Sequence, residues 1–343
     1  MKITTVNPLE FSNWNRCIAG VEGSTFFHTS NWAQVLAETY DYKPVYFCAF
    51  QDGQLAGCIP VMDIRSIATG HRGVSLPFTD ECHPLGREKD TIVALWDFAK
   101  SYGKKSGWRY LELRGDYPAC NSNLPSESYY THVLELAESA QDLLRKFRNS
   151  TKRNIEKAAR LKVNVTHTDR MESMADFYNL LCITRKRHGL PPQPYKFFKK
   201  LQRYALWTKM GFILLVYHGG IPIAAALFLH FGRKVIYKFG ASDKKHQKLR
   251  ANNLIMWQAI QWAIQNGYTE FSFGRTSLHN SGLLQFKRGW RASEHLLAYY
   301  RYDFNKADFI KSNSCYAKRY PIIDKLPLPL LKFTGRLLYR HVG

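Results

Sequence analysis

Two tight β-hairpins fix the frame into which the rest of this chain must fold. In the first, Val45 to Phe50 and Leu55 to Met62 are joined through Asp52-Gly53; in the second, Phe212 to Tyr217 and Ile221 to Phe231 flank His218-Gly219-Gly220. Glycine takes the positive φ that so short a turn demands, which commits each pair of strands to antiparallel pairing. A similar order of elements surrounds each hairpin. Before the first come a strand (Ile3 to Val6), a helix started at Pro8 and a helix capped by Ser30-Asn31. After it come a helix near Asp90 to Tyr102 and strands Trp108 to Leu113 and Thr131 to Leu136. Before the second come a basic helix from Ser139 to about Leu161, a strand Val163 to Thr166, and helices Met174 to Arg187 and Pro194 to Lys209. After it come strand Val235 to Phe239, helix Asn252 to Gln265, strand Tyr268 to Phe273, a short helix Ser281 to Arg288 and a strand His295 to Tyr302. The pattern predicts an α/β (α+β) chain of two tandem domains, residues 1–137 and 138–303, each a mixed, mostly antiparallel sheet flanked by helices. A basic amphipathic tail, 304–343, follows.

At 343 residues, with 45% hydrophobic and 14% aromatic side chains, the chain can bury two cores of ordinary size. Its net charge of +22 is lopsided: residues 1–135 hold 12 Lys and Arg against 15 Asp and Glu, residues 136–300 hold 28 against 9, and residues 301–343 hold 9 against 3. The field of the second half attracts nucleic acid, anionic lipid head groups or pyrophosphate-bearing substrates, without choosing among them. Seven cysteines without a C-x-x-C pair argue against a disulfide framework or a zinc site. Met1 to Cys17 lacks the apolar run of a secretory signal, and no stretch reaches the roughly eighteen apolar residues of a membrane span. A cytoplasmic protein is expected.

In the tail, Pro321, Pro327 and Pro329 precede a helical stretch, Leu330 to His341. Lys332, Arg336 and Arg340 fall on one edge of it, while Leu330, Leu331, Phe333, Leu337 and Leu338 cover the other side. That pattern fits either an interfacial helix at an anionic membrane or a helix docked on its own domain.

The chain contains no G-x-S-x-G, G-x-x-x-x-G-K-[ST], H-E-x-x-H or G-x-G-x-x-G, so serine hydrolase, P-loop, zincin and dinucleotide-binding chemistries lack their minimal parts. No metal is expected. One stretch does read as a binding site: strand Val235 to Phe239 runs through Gly240-Ala241-Ser242 into a basic loop that ends at a helix start. Free backbone N–H groups and the helix dipole make such a start an anion site. Its donor-binding candidates are Lys244, Lys245, Lys248, Arg250, Asn252 and Asn253.

Downstream lie Phe271-Ser272-Phe273-Gly274-Arg275-Thr276 and Gly282-Leu283-Leu284-Gln285-Phe286-Lys287-Arg288-Gly289-Trp290. Together with Thr151-Lys152-Arg153-Asn154-Ile155-Glu156-Lys157-Ala158, Phe27-His28-Thr29-Ser30-Asn31-Trp32 and the loop Ser75 to Asp80, they resemble the Fem-like (FemAB-related) aminoacyl/acyltransferase family, built from tandem acetyltransferase-like (GNAT) domains. Three features depart from that family and its superfamily. The basic loop lacks the glycines of the coenzyme A signature Q/R-x-x-G-x-G/A, Ser272 stands where an Asp is common, and no coiled-coil arm interrupts the second half.

The resemblance implies a transferase that forms an amide by moving an aminoacyl or acyl group to an amine of a peptidoglycan or polysaccharide precursor. Phe286 and Lys287 match the reacting-centre pair, where a fixed ammonium would stabilise the tetrahedral oxyanion. Lys287 also fits a plain surface charge. Asp80, Lys152, Arg153 and Arg275 match acceptor-side positions. No tightly bound cofactor is implied; the donor would be aminoacyl-tRNA or acyl-coenzyme A. The implied partners are a phosphorylated or lipid-linked sugar precursor, tRNA and an anionic membrane surface at the inner face of the plasma membrane, but not DNA. Two other readings stay open: a coenzyme A-dependent N-acyltransferase on an exopolysaccharide amino sugar, and a non-catalytic tRNA- or lipid-binding protein on the same scaffold.

Overall fold

The computed structural model describes residues 1–86, 88–120, 123–136, 139–161, 163–311, 323 and 325–343. Cys315 and Pro321 lie outside them. The chain divides into two compact units, and neither is a continuous segment. Unit 1 comprises Met1–Tyr130, Leu296–Tyr316 and Leu338–Gly343; unit 2 comprises Thr131–His295 and Ala317–Leu337.

Unit 1 opens with β1 (Lys2–Val6), α1 (Trp14–Ala19) and α2 (Ser30–Tyr40). No helix starts at Pro8, because the Asn7 carboxamide accepts from the N–H of Leu9 and the Asn7 carbonyl from those of Glu10 and Phe11, closing a local turn. Nor does Ser30 cap α2. The cap is Thr29, whose hydroxyl accepts from the Trp32 N–H, while the Ser30 N–H goes to Asn15. The hairpin of β2 (Lys43–Gln51) and β3 (Gln54–Ser66) turns on Asp52 and Gly53, both left-handed. β4 (Gly70–Val74) pairs antiparallel with β3 and, across α3 (Lys89–Ser106), parallel with β5 (Tyr110–Arg114). β6 (Glu127–Glu135) carries the chain into unit 2, and β12 (Ser293–Asp303) brings it back. The end of β12 lies in unit 1, with Tyr299 to Asp303 antiparallel to Arg114 to Tyr110, although its order along the chain suggests the second domain. Aromatic packing holds it there: Tyr302 meets Trp96 and Phe309 at centroid separations of 5.6 and 5.5 Å.

In unit 2, β7 (Asn164–Thr168), β8 (Gly211–His218), β9 (Ile221–Phe231), β10 (Lys234–Ser242) and β11 (Glu270–Ser277) lie side by side in that order. The sheet is buried and apolar on both faces along β8 and β9, whose apolar runs are continuous, whereas β11 alternates Phe271 and Phe273 with the buried Ser272. Helices α4 (Ala140–Lys146), α5 (Asn149–Arg160), α6 (Met171–Arg187), α7 (Tyr195–Leu201), α8 (Ala251–Gln265) and α9 (Ser281–Arg288) complete it. The single basic helix expected over Ser139 to Leu161 is two. Phe147 and Arg148 are extended between α4 and α5, so that Phe147 enters the core against Trp257 and Trp290 and the Arg148 N–H reaches the Gly289 carbonyl.

The C-terminal helix, Leu328–Val342, is docked by one face. In unit 2, Leu331 is buried, and Gly335 lies so close to Pro192 that a Cβ would meet its carbonyl oxygen at 2.0 Å. In unit 1, the Tyr42 hydroxyl donates to the Arg340 carbonyl, and the buried Arg72 guanidinium donates to the carbonyls of His341 and Gly343. No helix of the described residues is long and apolar enough to cross a membrane.

Candidate functional site

In unit 2, β10 and β11 run parallel and pair over Lys234 to Ile236 and Glu270 to Ser272. Each strand then continues beyond that pairing, to Ser242 and Ser277. A register shift between Tyr237 and Phe239 marks a bulge against β9, which bends the strand from this point. At the far end of β10 lies a cavity of about 880 Å3, lined from Ser150 to Phe286.

Three helices begin at this cavity. α5 contributes Ser150 and Thr151 from its first turn and Asn154 from its second; α8 contributes Ala251, Asn252 and Asn253; α9 contributes Gly282 and then Gln285 and Phe286. None of the three has an acidic residue in its first turn. Asn280 caps α9 by accepting from the Leu283 N–H; the N–H groups left at the three starts and their dipoles add without a carboxylate of their own, which favours an anionic ligand. Arg187, Lys244 and Arg250 add formal positive charge to the wall, and His188 and His246 supply groups able to take a proton. The acid among the lining residues, Asp243, is engaged as the cap of the short 3-10 helix Lys244–Leu249, accepting from the Lys245 N–H at 2.9 Å. Arg250 adopts φ 58°, and its Nε is buried with no hydrogen-bond partner among the described residues. A ligand oxygen would satisfy it.

The sequence-derived candidates divide. Phe286, Lys244, Arg250, Asn252 and Asn253 line the cavity, whereas Lys245 and Lys248 are exposed on the 3-10 helix outside its lining. Lys287 is 2% exposed and so is no surface charge. It is also not on the cavity wall. Its ammonium donates to the carbonyls of Gly274 and Arg275, clasping β11 at a glycine with φ 68°. Arg275 is half-buried on β11 and provides one of those carbonyls. Lys152 donates to the Arg145 carbonyl at the end of α4, and Arg153 is exposed. The helical repeat that puts Ser150, Thr151 and Asn154 at the cavity turns both bases elsewhere. Asp80 belongs to unit 1, in a loop where Leu76 and Phe78 have positive φ and where Tyr299 donates its hydroxyl to the Asp80 carbonyl at 2.6 Å. Strain of this kind persists only where neighbours over-determine the backbone.

Sequence reasoning passed over Ser150, Asn154, Arg187, His188, His246 and Gln247. Asn154 carried a signal, as the polar member of the Thr151 to Ala158 motif that shares a helical face with Ser150 and Thr151. His246 and Gln247 lie in the basic loop among its lysines, while Arg187 and His188 come from the end of α6, which only the fold brings to the cavity.

Residues 145–288 match the family profile described as acetyltransferase (GNAT) domain, a span that contains every lining residue of the cavity. Over 77 residues the chain is 30% identical to a lipid II:glycine glycyltransferase of Staphylococcus saprophyticus, which amounts to 21% of this chain and 19% of that protein. The crystal structure of FemX superposes with a TM-score of 0.72 at 14% identity, covering 89% of this chain and 98% of that one. A tandem GNAT protein from the clavulanic acid biosynthesis pathway superposes with a TM-score of 0.55 at 8% identity, covering 90% of this chain and 99% of its own. These likenesses show the fold: tandem, acetyltransferase-like and close to that of FemX.

Proposed function

We infer that this chain, Fem-like and of the GNAT type, is an acyltransferase that forms an amide by moving an aminoacyl or acyl group to an amine of a cell-envelope precursor. The observation that carries the reading is the unit 2 cavity, where three acid-free helix starts and the unpartnered Arg250 Nε surround space for a phosphate-bearing donor. The partial match to a lipid II:glycine glycyltransferase supports a lipid-linked peptidoglycan precursor as acceptor.

In the step itself the acceptor nitrogen attacks the donor carbonyl carbon. A C–N bond forms, the C–O or C–S bond to the carrier breaks, and the nitrogen loses a proton to a nearby group such as His188, His246 or a substrate phosphate. Negative charge gathers on the carbonyl oxygen on the way. A lysine ammonium held out of water, as Lys287 is, acts on such charge over a longer reach than one at the surface.

Between donors, the left-handed position before α8 favours aminoacyl-tRNA. Arg250 occupies it where a coenzyme A loop would use glycine to bring bare backbone to the pyrophosphate, so at this one position contact runs through the Arg250 side chain. Acyl-coenzyme A remains the second reading, favoured by the acetyltransferase match over the cavity. Both donors and the precursor would meet at the cytoplasmic face of the membrane. The deciding assay supplies the purified protein with labelled aminoacyl-tRNA or acyl-coenzyme A and a lipid-linked precursor bearing a free amine. Transfer from tRNA supports the first reading and transfer from coenzyme A the second. Binding of either without transfer would make the chain a non-catalytic relative.

A further inference from the structure

We propose that the outward face of the C-terminal helix, Leu328–Val342, seats the protein on an anionic lipid bilayer. The proposal extends the reading above but rests on this helix alone. The inner face is occupied: Leu331 and Gly335 are buried against unit 2, and the Lys332 ammonium lies over the Tyr178 ring at 5.3 Å. On the opposite face Leu330, Phe333 and Leu337, spaced i, i+3 and i+7, form one ridge and are 47%, 54% and 54% exposed. Apolar side chains of this size on one ridge of a soluble protein mark a surface that meets something.

Charge identifies the occupant. Leu328–Val342 contains no Asp or Glu, Arg336 is exposed beside the ridge, and Lys325 is exposed just before it. Arg340 shares its charge with Asp41 at 3.1 Å and counts for less. A second copy docking through the same ridge would bring Arg336 against Arg336, within a chain whose net charge is already +22. An anionic head-group layer is complementary to that field, and its acyl boundary takes up Phe333 and the leucines while the guanidinium stays among phosphates. Because the other face is packed, the ridge is presented ready-formed.

The test is co-sedimentation of the full chain with phosphatidylglycerol–phosphatidylcholine vesicles and with phosphatidylcholine alone, at low and high salt. The wild type should pellet with the anionic vesicles, and less so at high salt. Phe333→Ser with Leu337→Ser should lower partitioning by about tenfold or more with an unchanged melting temperature. Arg336→Glu, which leaves the ridge intact, should weaken binding chiefly at low salt. Equal pelleting of the variants, no binding to anionic vesicles, or a wild-type dimer that the serine variant dissociates would overturn the proposal. Acyl transfer to a soluble acceptor, run in parallel, should be the same for all variants; its absence throughout would instead count against the acyltransferase reading.

Discussion

The ammonium of Lys287 lies 2.6 Å from the carbonyl oxygen of Gly274 and 3.3 Å from that of Arg275. The F-G-R strand and the F-K-R-G helix are thus two ends of one clasp. Lys287→Met should remove the cation and leave buried carbonyls without their donor, at a cost of about 1–3 kcal/mol. Both melting temperature and turnover should fall. Lys287→Arg separates the roles: a turnover that recovers while the melting temperature stays low assigns the charge to the reaction, whereas joint recovery or joint loss assigns it to the clasp.

Arg250→Gln should raise the donor KM by about tenfold, the size expected for one hydrogen bond to a charged group, and leave kcat close to wild type. The wild-type KM should rise with salt, and the variant's less steeply. An unchanged KM would remove Arg250 from the donor site.

Gly289 ends α9 where a Cβ would meet the Thr151 hydroxyl oxygen at 2.5 Å. Gly289→Ala should therefore destabilise unit 2 by about 1–3 kcal/mol through overpacking. Thr151→Ala in the same chain removes the clashing oxygen and should restore part of the loss. Denaturant midpoints of the four proteins in this cycle decide it; additive losses would place the strain elsewhere.

Burial pushes the His230 imidazole down to about 4, with His167 adding repulsion, and the Tyr268 hydroxyl lies 2.6 Å from its Nδ1, a partner that suits the neutral ring. The unfolded chain takes up this proton near the ordinary 6.5 and the folded chain only below about 4. Stability is therefore full above about pH 6.5 and is lost as pH falls through that window, by up to about 3 kcal/mol. His230→Phe should flatten the melting-temperature profile between those limits. Parallel profiles for wild type and variant would refute the assignment.

Local chemistry made much of this legible in the sequence. The Asp52-Gly53 and Gly219-Gly220 turns placed both hairpins, and the basic loop ahead of Asn252 pointed to the helix start that helps to form the cavity. What stayed hidden depends on partners distant in the chain. Phe147 breaks a helix whose propensity is continuous, because the core against Trp257 and Trp290 is worth more than two further helical residues. Lys287 reads as one base among several until its burial is seen. Lys152 and Arg153 carry the same charge as Arg187, yet helical phase turns them from the cavity and Arg187 into it.

The interleaving of the two units has a consequence for synthesis. Unit 1 draws Tyr299 to Asp303 onto β5, and its buried Arg72 is satisfied by carbonyls at His341 and Gly343. Vectorial folding on the ribosome ordinarily completes the N-terminal part first. Here the edge of β5 lacks its β12 partner, and the Arg72 guanidinium keeps only its bonds to Thr69 and Gly70, until residues 299–303 and 341–343 have emerged.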